Sequence, residues 1–221
     1  MSDVLILGSA GGERTRAVQA SLARASLPPA RVVEQRVFLT GTPGPADDWV
    51  STETIVRLES PSEDPWVDSE LVALGGGVRP ASATELLRSD HWHAGLGVLL
   101  ERVDAWLADA PAHQRLQHSS SVLTMMDKRA THARLREAGV PVPESLNAAT
   151  WDEVVEQARA RGWNQVFVKA RYGSSAAGIV AARWGGSVVG FSTAAWAGGR
   201  PVNVRRLVRY ASHAEIAEVV A

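Results

Sequence analysis

The chain of 221 residues is 45% hydrophobic, carries a formal net charge of -1 and has no cysteine. The apolar content suffices for a sizeable core in one large or two small domains. Near-neutrality argues against nonspecific binding to nucleic acid or an acidic membrane, which needs many phosphate-neutralising cations. The missing cysteines exclude disulfides, thiolate metal sites and thiol nucleophiles.

No stretch approaches the roughly 20 apolar residues of a membrane helix, and residues 1–7 lack the basic flank and long apolar core of a signal peptide. A cytoplasmic protein is expected, with the Ala, Arg and Gly richness of a bacterial product. Residues 4–7 read as a strand, residues 14–26 as a helix and residues 31–39 (RVVEQRVFL) as a second strand. Together they make a βαβ unit with a right-handed crossover. A proline-bearing loop over residues 41–48 leads to a strand at 54–58, then to a helix at 66–74 that stops at three glycines. Residues 80–90 carry no clear pattern. Residues 92–107 have apolar positions on one face and predict a long helix, and the first domain is expected to close in the segment 110–121.

The second half changes rhythm. Residues 127–138 predict a helix ending at Gly139, with an extended VPVP segment after it. Residues 151–161 predict another helix, with Thr150 and Glu153 as a capping box. Strands are expected at 165–170, 179–183, 187–192 and 202–208, forming an antiparallel sheet. Ser212 and Glu215 form a further capping box, and the apolar stripe that follows is cut short at Ala221. The chain reads either as the N-terminal part of a longer protein, ending inside a helix, or as one with a short terminal helix.

The sharpest chemical signal is residues 166–180, VFVKARYGSSAAGIV. A lysine, Lys169, leaves a strand, and a loop of small residues, Tyr172, Gly173, Ser174, Ser175, Ala176, Ala177 and Gly178, joins it to the next. The glycines let backbone approach an anion, the serines add donors and the lysine adds a fixed charge. An ordinary hairpin loop would look similar. Upstream, Asp127 and Lys128 open a helix, and a lysine in the first turn opposes the helix dipole unless an anion is near.

Taken together, these two segments resemble the ATP-grasp superfamily, in which a D-K helix ending in G-V/I-P-x-P precedes a V-K-x-x-x-G-S-S loop between antiparallel strands. The resemblance covers about residues 119–221. It implies an α/β chain with a Rossmann-like parallel βαβ domain at residues 1–118, followed at 119–221 by the first part of an α+β ATP-grasp domain. It also implies an ATP-dependent ligase that activates a small-molecule or peptide carboxylate as an acyl phosphate for attack by an amine. Lys128, Lys169 and the loop from Tyr172 to Gly178 would contact the ATP phosphates. The adenine hinge and the ligands for Mg2+ are expected beyond residue 221, no metal ligand or catalytic residue is assigned within the chain, and a homodimer is compatible with the pattern. The loop reads G-S-S-A-A-G, one residue longer than the G-S-S-x-G of D-alanine ligases.

The glycine turn VLILGSAGGERTR is a second anion candidate, with Ser9, Arg14 and Arg16 as substrate-carboxylate contacts. It is not the G-x-G-x-x-G dinucleotide fingerprint, so an NAD-linked oxidoreductase ranks third, behind the ligase and a non-catalytic nucleotide-binding or interaction module. His91 and His93 lack further partners at metal-ligand spacing and are expected to be structural. The eight tryptophans, spread along the chain without basic interleaving, are expected in cores or interfaces.

Overall fold

The apolar run expected at residues 4–7 becomes an inner strand of a parallel sheet, which explains why Leu5, Ile6 and Leu7 are fully buried. The computed structural model describes residues 3–82, 84–86, 89–172 and 178–220. The chain is mixed α/β and divides into two compact units, Met1–Arg79 with Asp90–Met125, and Pro80–Ser89 with Met126–Ala221.

The first unit runs β1 (Asp3–Gly8), α1 (Glu13–Arg24), β2 (Arg31–Glu34), α2 (Gln35–Thr40), β3 (Thr54–Leu58), α3 (Pro65–Leu74), α4 (Ser89–Ala108), β4 (Gln114–Arg115) and α5 (Ser119–Met126). Its four strands are parallel in the order β2-β1-β3-β4. The strand expected over residues 31–39 is corrected here: it ends at Glu34 and turns at once into α2. The reason lies in two side chains. Gln35 is buried and donates its amide to the carbonyls of Leu7, at 3.3 Å, and Glu59, at 2.8 Å, while Phe38 packs edge-on against Trp106 at 5.3 Å. A helical turn puts residues three apart on one face, whereas a strand would send them to opposite faces.

Two elements of this unit, β4 and α5, lie where the sequence suggested only a closing segment. A two-residue strand has no period to read, and it is held from outside, by Leu116 N–H on the Val56 carbonyl at 3.0 Å. Arg115 and the Ser119 hydroxyl both bind Asp104 of α4, at 2.6 and 2.8 Å. Helices α3 and α4 approach so closely that a Cβ on Gly95 would sit 1.9 Å from the Leu71 carbonyl oxygen. Beside that contact, burial pushes the Asp68 carboxyl up from its ordinary value, although it accepts from Trp92 Nε1 at 2.7 Å and Ser62 Oγ at 3.1 Å.

The second unit runs α6 (Lys128–Glu137), α7 (Trp151–Ala160), β5 (Gln165–Val168), β6 (Val180–Arg183), β7 (Val189–Ala197), β8 (Arg200–Tyr210) and α8 (His213–Val220). The strands are antiparallel in sequence order. Both expected helix caps form, the one at Ser212 as a reciprocal box, whereas at Thr150 the Glu153 carboxylate accepts from the Ala149 N–H at 2.8 Å. Thr150 Oγ1 accepts from Glu153 N–H at 3.3 Å, and Ser212 Oγ accepts from Glu215 N–H at 3.2 Å while Glu215 returns to the Ser212 N–H at 3.0 Å. The last two strands are longer than expected and form one hairpin turning at Gly198 and Gly199, with an irregularity between Ser192 and Ala194. The patternless segment after residue 80 binds the β8 edge: Asn203 N–H donates to the Thr84 carbonyl at 2.7 Å and Leu86 N–H to the Pro201 carbonyl at 2.9 Å. Backbone pairing of that kind requires no side-chain pattern, so it leaves none.

One face of this sheet carries the core. Val166, Val180 and Ala182 pack with Trp151, Val155 and Ala158 of α7, Ile216 of α8 and Trp184. The tryptophans divide by place, with Trp92, Trp106, Trp151 and Trp184 buried and Trp66 and Trp196 exposed.

The α3–α4 contact gives a direct test. Gly95→Ala drives a methyl group into helix backbone that has no rotamer to yield, so urea unfolding is expected to show a loss of about 2–3 kcal/mol. A loss below about 0.5 kcal/mol, the scale of an exposed substitution, would contradict the packing described.

Candidate phosphate-binding site

Strand β5 alternates. Val166 and Val168 point toward α7 and α8, so Phe167 and, one step beyond the strand, Lys169 belong to the other face. That face bears a row in register, Phe167 opposite Ala181, Ala181 opposite Phe191 and Phe191 opposite Arg209. Phe167 is 60% exposed and Phe191 41% exposed. The Lys169 ammonium lies 6.0 Å from the Phe167 ring centre, at the long limit of a cation–π contact. Two aromatic residues in one register row, left in solvent beside a lysine, form a flat apolar floor with a cation at its end.

The second lysine comes from α6. Asp127 caps that helix, accepting from Arg129 N–H at 2.9 Å and Ala130 N–H at 3.2 Å. Lys128 is the first helical residue, at the positive end of the dipole. Arg171 joins the two elements. Its guanidinium takes both oxygens of Asp127, Nε at 2.9 Å and Nη2 at 2.5 Å, and its carbonyl accepts the Lys128 N–H at 3.1 Å. A planar fork on a carboxylate fixes orientation as well as distance.

The consequence is electrostatic. Burial lowers the Lys128 amine below the ordinary lysine range, the charge of Lys169 lowers it further, and Asp127 opposes both. Two cations repelling each other, one half-buried and set against a helix dipole, suit an anion held between them. Among 23 Lys and Arg residues the chain has two lysines, and they are these two. That scarcity was a readable signal in the sequence.

Of the residues expected to hold phosphate, Lys128, Lys169 and Tyr172 come together with Asp127, Arg171 and Phe167, which the motif reading did not assign to the site. The Tyr172 ring lies 4.9 Å beneath the Arg171 guanidinium. Gly178 has a left-handed φ of 71°, a conformation that favours glycine, as it leads into β6. Gly173, Ser174, Ser175, Ala176 and Ala177 lie outside the described residues.

Ser9, Arg14 and Arg16 belong to the first unit, and there the glycine turn meets carboxylates of the chain itself. Glu63 accepts the Arg14 N–H at 2.9 Å, Glu34 accepts the Ala10 N–H at 3.4 Å, and the Ser9 carbonyl accepts the Gly12 N–H at 3.0 Å. The Arg16 guanidinium donates to the Gly11 carbonyl. His91 and His93 contact backbone carbonyls of Gly75 and Leu123 at 2.7 and 3.2 Å. Among the described residues no group of three or more His, Cys, Asp or Glu is placed to hold a metal ion. Comparison with protein-family models, curated proteins and solved structures finds no match to the chain.

The Arg171 contact also predicts acid behaviour. It holds the Asp127 carboxyl at about 2, helped by the two helix N–H groups and opposed by burial. Because the folded value lies below the ordinary one, near 3.9, the stabilisation is present above about pH 4 and is lost as pH falls toward 2. Asp127→Asn keeps the cap but not the ion pair. The stability difference between wild type and variant, by urea unfolding across that window, is expected to shrink by about 1–2 kcal/mol, allowing for solvent around Arg171. A difference constant with pH would remove the ion pair from the account.

Proposed function

We propose that the second unit contributes the phosphate grip of an ATP-grasp-type nucleotide site. On this reading the chain belongs to an ATP-dependent ligase that activates a carboxylate for attack by an amine or similar nucleophile. The observation that carries it is the convergence of Lys128 and Lys169, from two elements fastened by Arg171.

On the same reading the parallel sheet is the Rossmann-like domain that precedes the grip, with the functional division near residues 118–119. Bound ATP would supply the phosphoryl group that turns the carboxylate into an acyl phosphate. The two lysines would offset phosphate charge, which suits a reaction governed by positioning and electrostatics. The open row of Phe167 and Phe191 offers the apolar surface a purine needs. The loop from Tyr172 to Gly178 would close over the terminal phosphate. No step is assigned to Mg2+, since the described residues lack a ligand set for it. A dinucleotide on the first unit is disfavoured, because its pyrophosphate would have to displace Glu63 and Glu34 from the N–H groups they occupy.

Calorimetry with ATP and AMP tests the grip. ATP is expected to bind more tightly than AMP, and Lys169→Ala to weaken ATP by at least about 1.5 kcal/mol, the scale of a charge-assisted hydrogen bond. Equal affinity for the two nucleotides, or an unaffected variant, would sink the assignment.

A further inference from the structure

The phosphate reading leaves one strong interaction without a role. Arg171 touches neither lysine side chain in any contact described above, yet it makes three bonds to the residues that begin α6: two to the Asp127 carboxylate and one, through its carbonyl, to the Lys128 N–H. The carboxylate it binds is the nearest acid in sequence to Lys128, and its charge acts on the Lys128 amine. Asp127 is 7% exposed, so solvent screens it little.

From this arrangement we infer that Arg171 is the positioning residue of the anion site: it engages the Asp127 carboxylate so that Lys128 and Lys169 direct their charge at a bound polyphosphate rather than at Asp127. The inference rests on the phosphate reading. With both oxygens of Asp127 forked by a guanidinium and one also receiving helix N–H groups, the carboxylate has a fixed orientation and a cation of its own. Remove the guanidinium and the Asp127 charge, which already acts on Lys128, is left to the neighbouring lysine. The site would then neutralise itself. A lysine at this position would not substitute, since an ammonium is a point charge that cannot fork a carboxylate.

This role differs from that of a brace. A brace, once lost, loosens the loop, and nothing done to Asp127 repairs it. An electrostatic role is repaired by removing the Asp127 charge, and Asn still caps the helix.

The experiment uses the chain labelled with 13C at lysine, whose two ε-carbon signals belong to Lys128 and Lys169, with inorganic tripolyphosphate as the ligand. In Arg171→Ala, and in Arg171→Gln as the variant that keeps a polar side chain without the charge, Lys128 is expected to titrate higher than in wild type. Tripolyphosphate should bind about tenfold more weakly. Adding Asp127→Asn to Arg171→Ala should return Lys128 downward and recover most of the affinity. The inference is overturned if the Lys128 titration is unmoved in both single variants, or if the double variant binds no better than Arg171→Ala. Should wild type bind no tripolyphosphate while Lys128 still moves up and back, the phosphate reading fails and the electrostatic hold of Arg171 on Asp127 is supported.

Discussion

The Arg171–Asp127 fork is the contact that ties the start of α6 to the segment leaving β5 in the second unit. A helix start and a strand end, forty-four positions apart in the chain, meet there through a bidentate ion pair and a backbone hydrogen bond. Neither element alone would place two cations near each other, since like charges drift apart when nothing holds them. The fork supplies the restraint, and its two charges offset each other in part, although the Asp127 charge still acts on the Lys128 amine. Its partial burial, with Asp127 7% exposed, makes it stiffer than the usual surface pair.

The sheet behind the fork has a division of labour between its faces. Small and branched residues, Val166, Val180 and Ala182, meet the tryptophans and Ile216 on the covered face, and this packing holds β5 in place. The opposite face leaves Phe167 and Phe191 in water. Burying two such rings by helix packing would have been favourable, at roughly 25 cal/mol for each Å² of apolar surface removed from water. Leaving them open preserves a flat surface next to Lys169. The covered face therefore gives rigidity to the strand, and the open face uses it.

The sequence disclosed this architecture unevenly, and for physical reasons. Periodic elements were legible: the alternation of β5, the amphipathic stretch of α4, and the helix caps at Thr150 and Ser212 all follow from residues that act on their near neighbours. What stayed hidden was fixed at a distance. Strand β2 stops early because Gln35 reaches the carbonyls of Leu7 and Glu59, neither of which is local. Strand β4 exists because β3 offers it a partner, and the segment after residue 80 is ordered by the edge of β8. At the site, Lys128 and Lys169 stood out by motif, whereas Arg171 looked like one arginine among many. Its importance comes from meeting Asp127, which no local pattern encodes.

That contrast between residue types bears on what the site is for. This chain meets nearly every other need for positive charge with arginine, including the ion pairs of Arg31, Arg36, Arg57, Arg79, Arg115, Arg161 and Arg200. Arginine stays charged through any plausible pH and forks carboxylates, so it serves structural pairs well. At residue 128, whose side chain feels the Asp127 charge, a second guanidinium would be a rival to Arg171 for that carboxylate. A lysine ammonium is compact, cannot fork and donates in any direction, which matches the several oxygens of a phosphate group without matching the plane of Asp127. The use of lysine at residues 128 and 169 and of arginine at 171 thus fits the proposed division of tasks, in which Arg171 is held by the protein's own carboxylate and the two lysines meet phosphate oxygens.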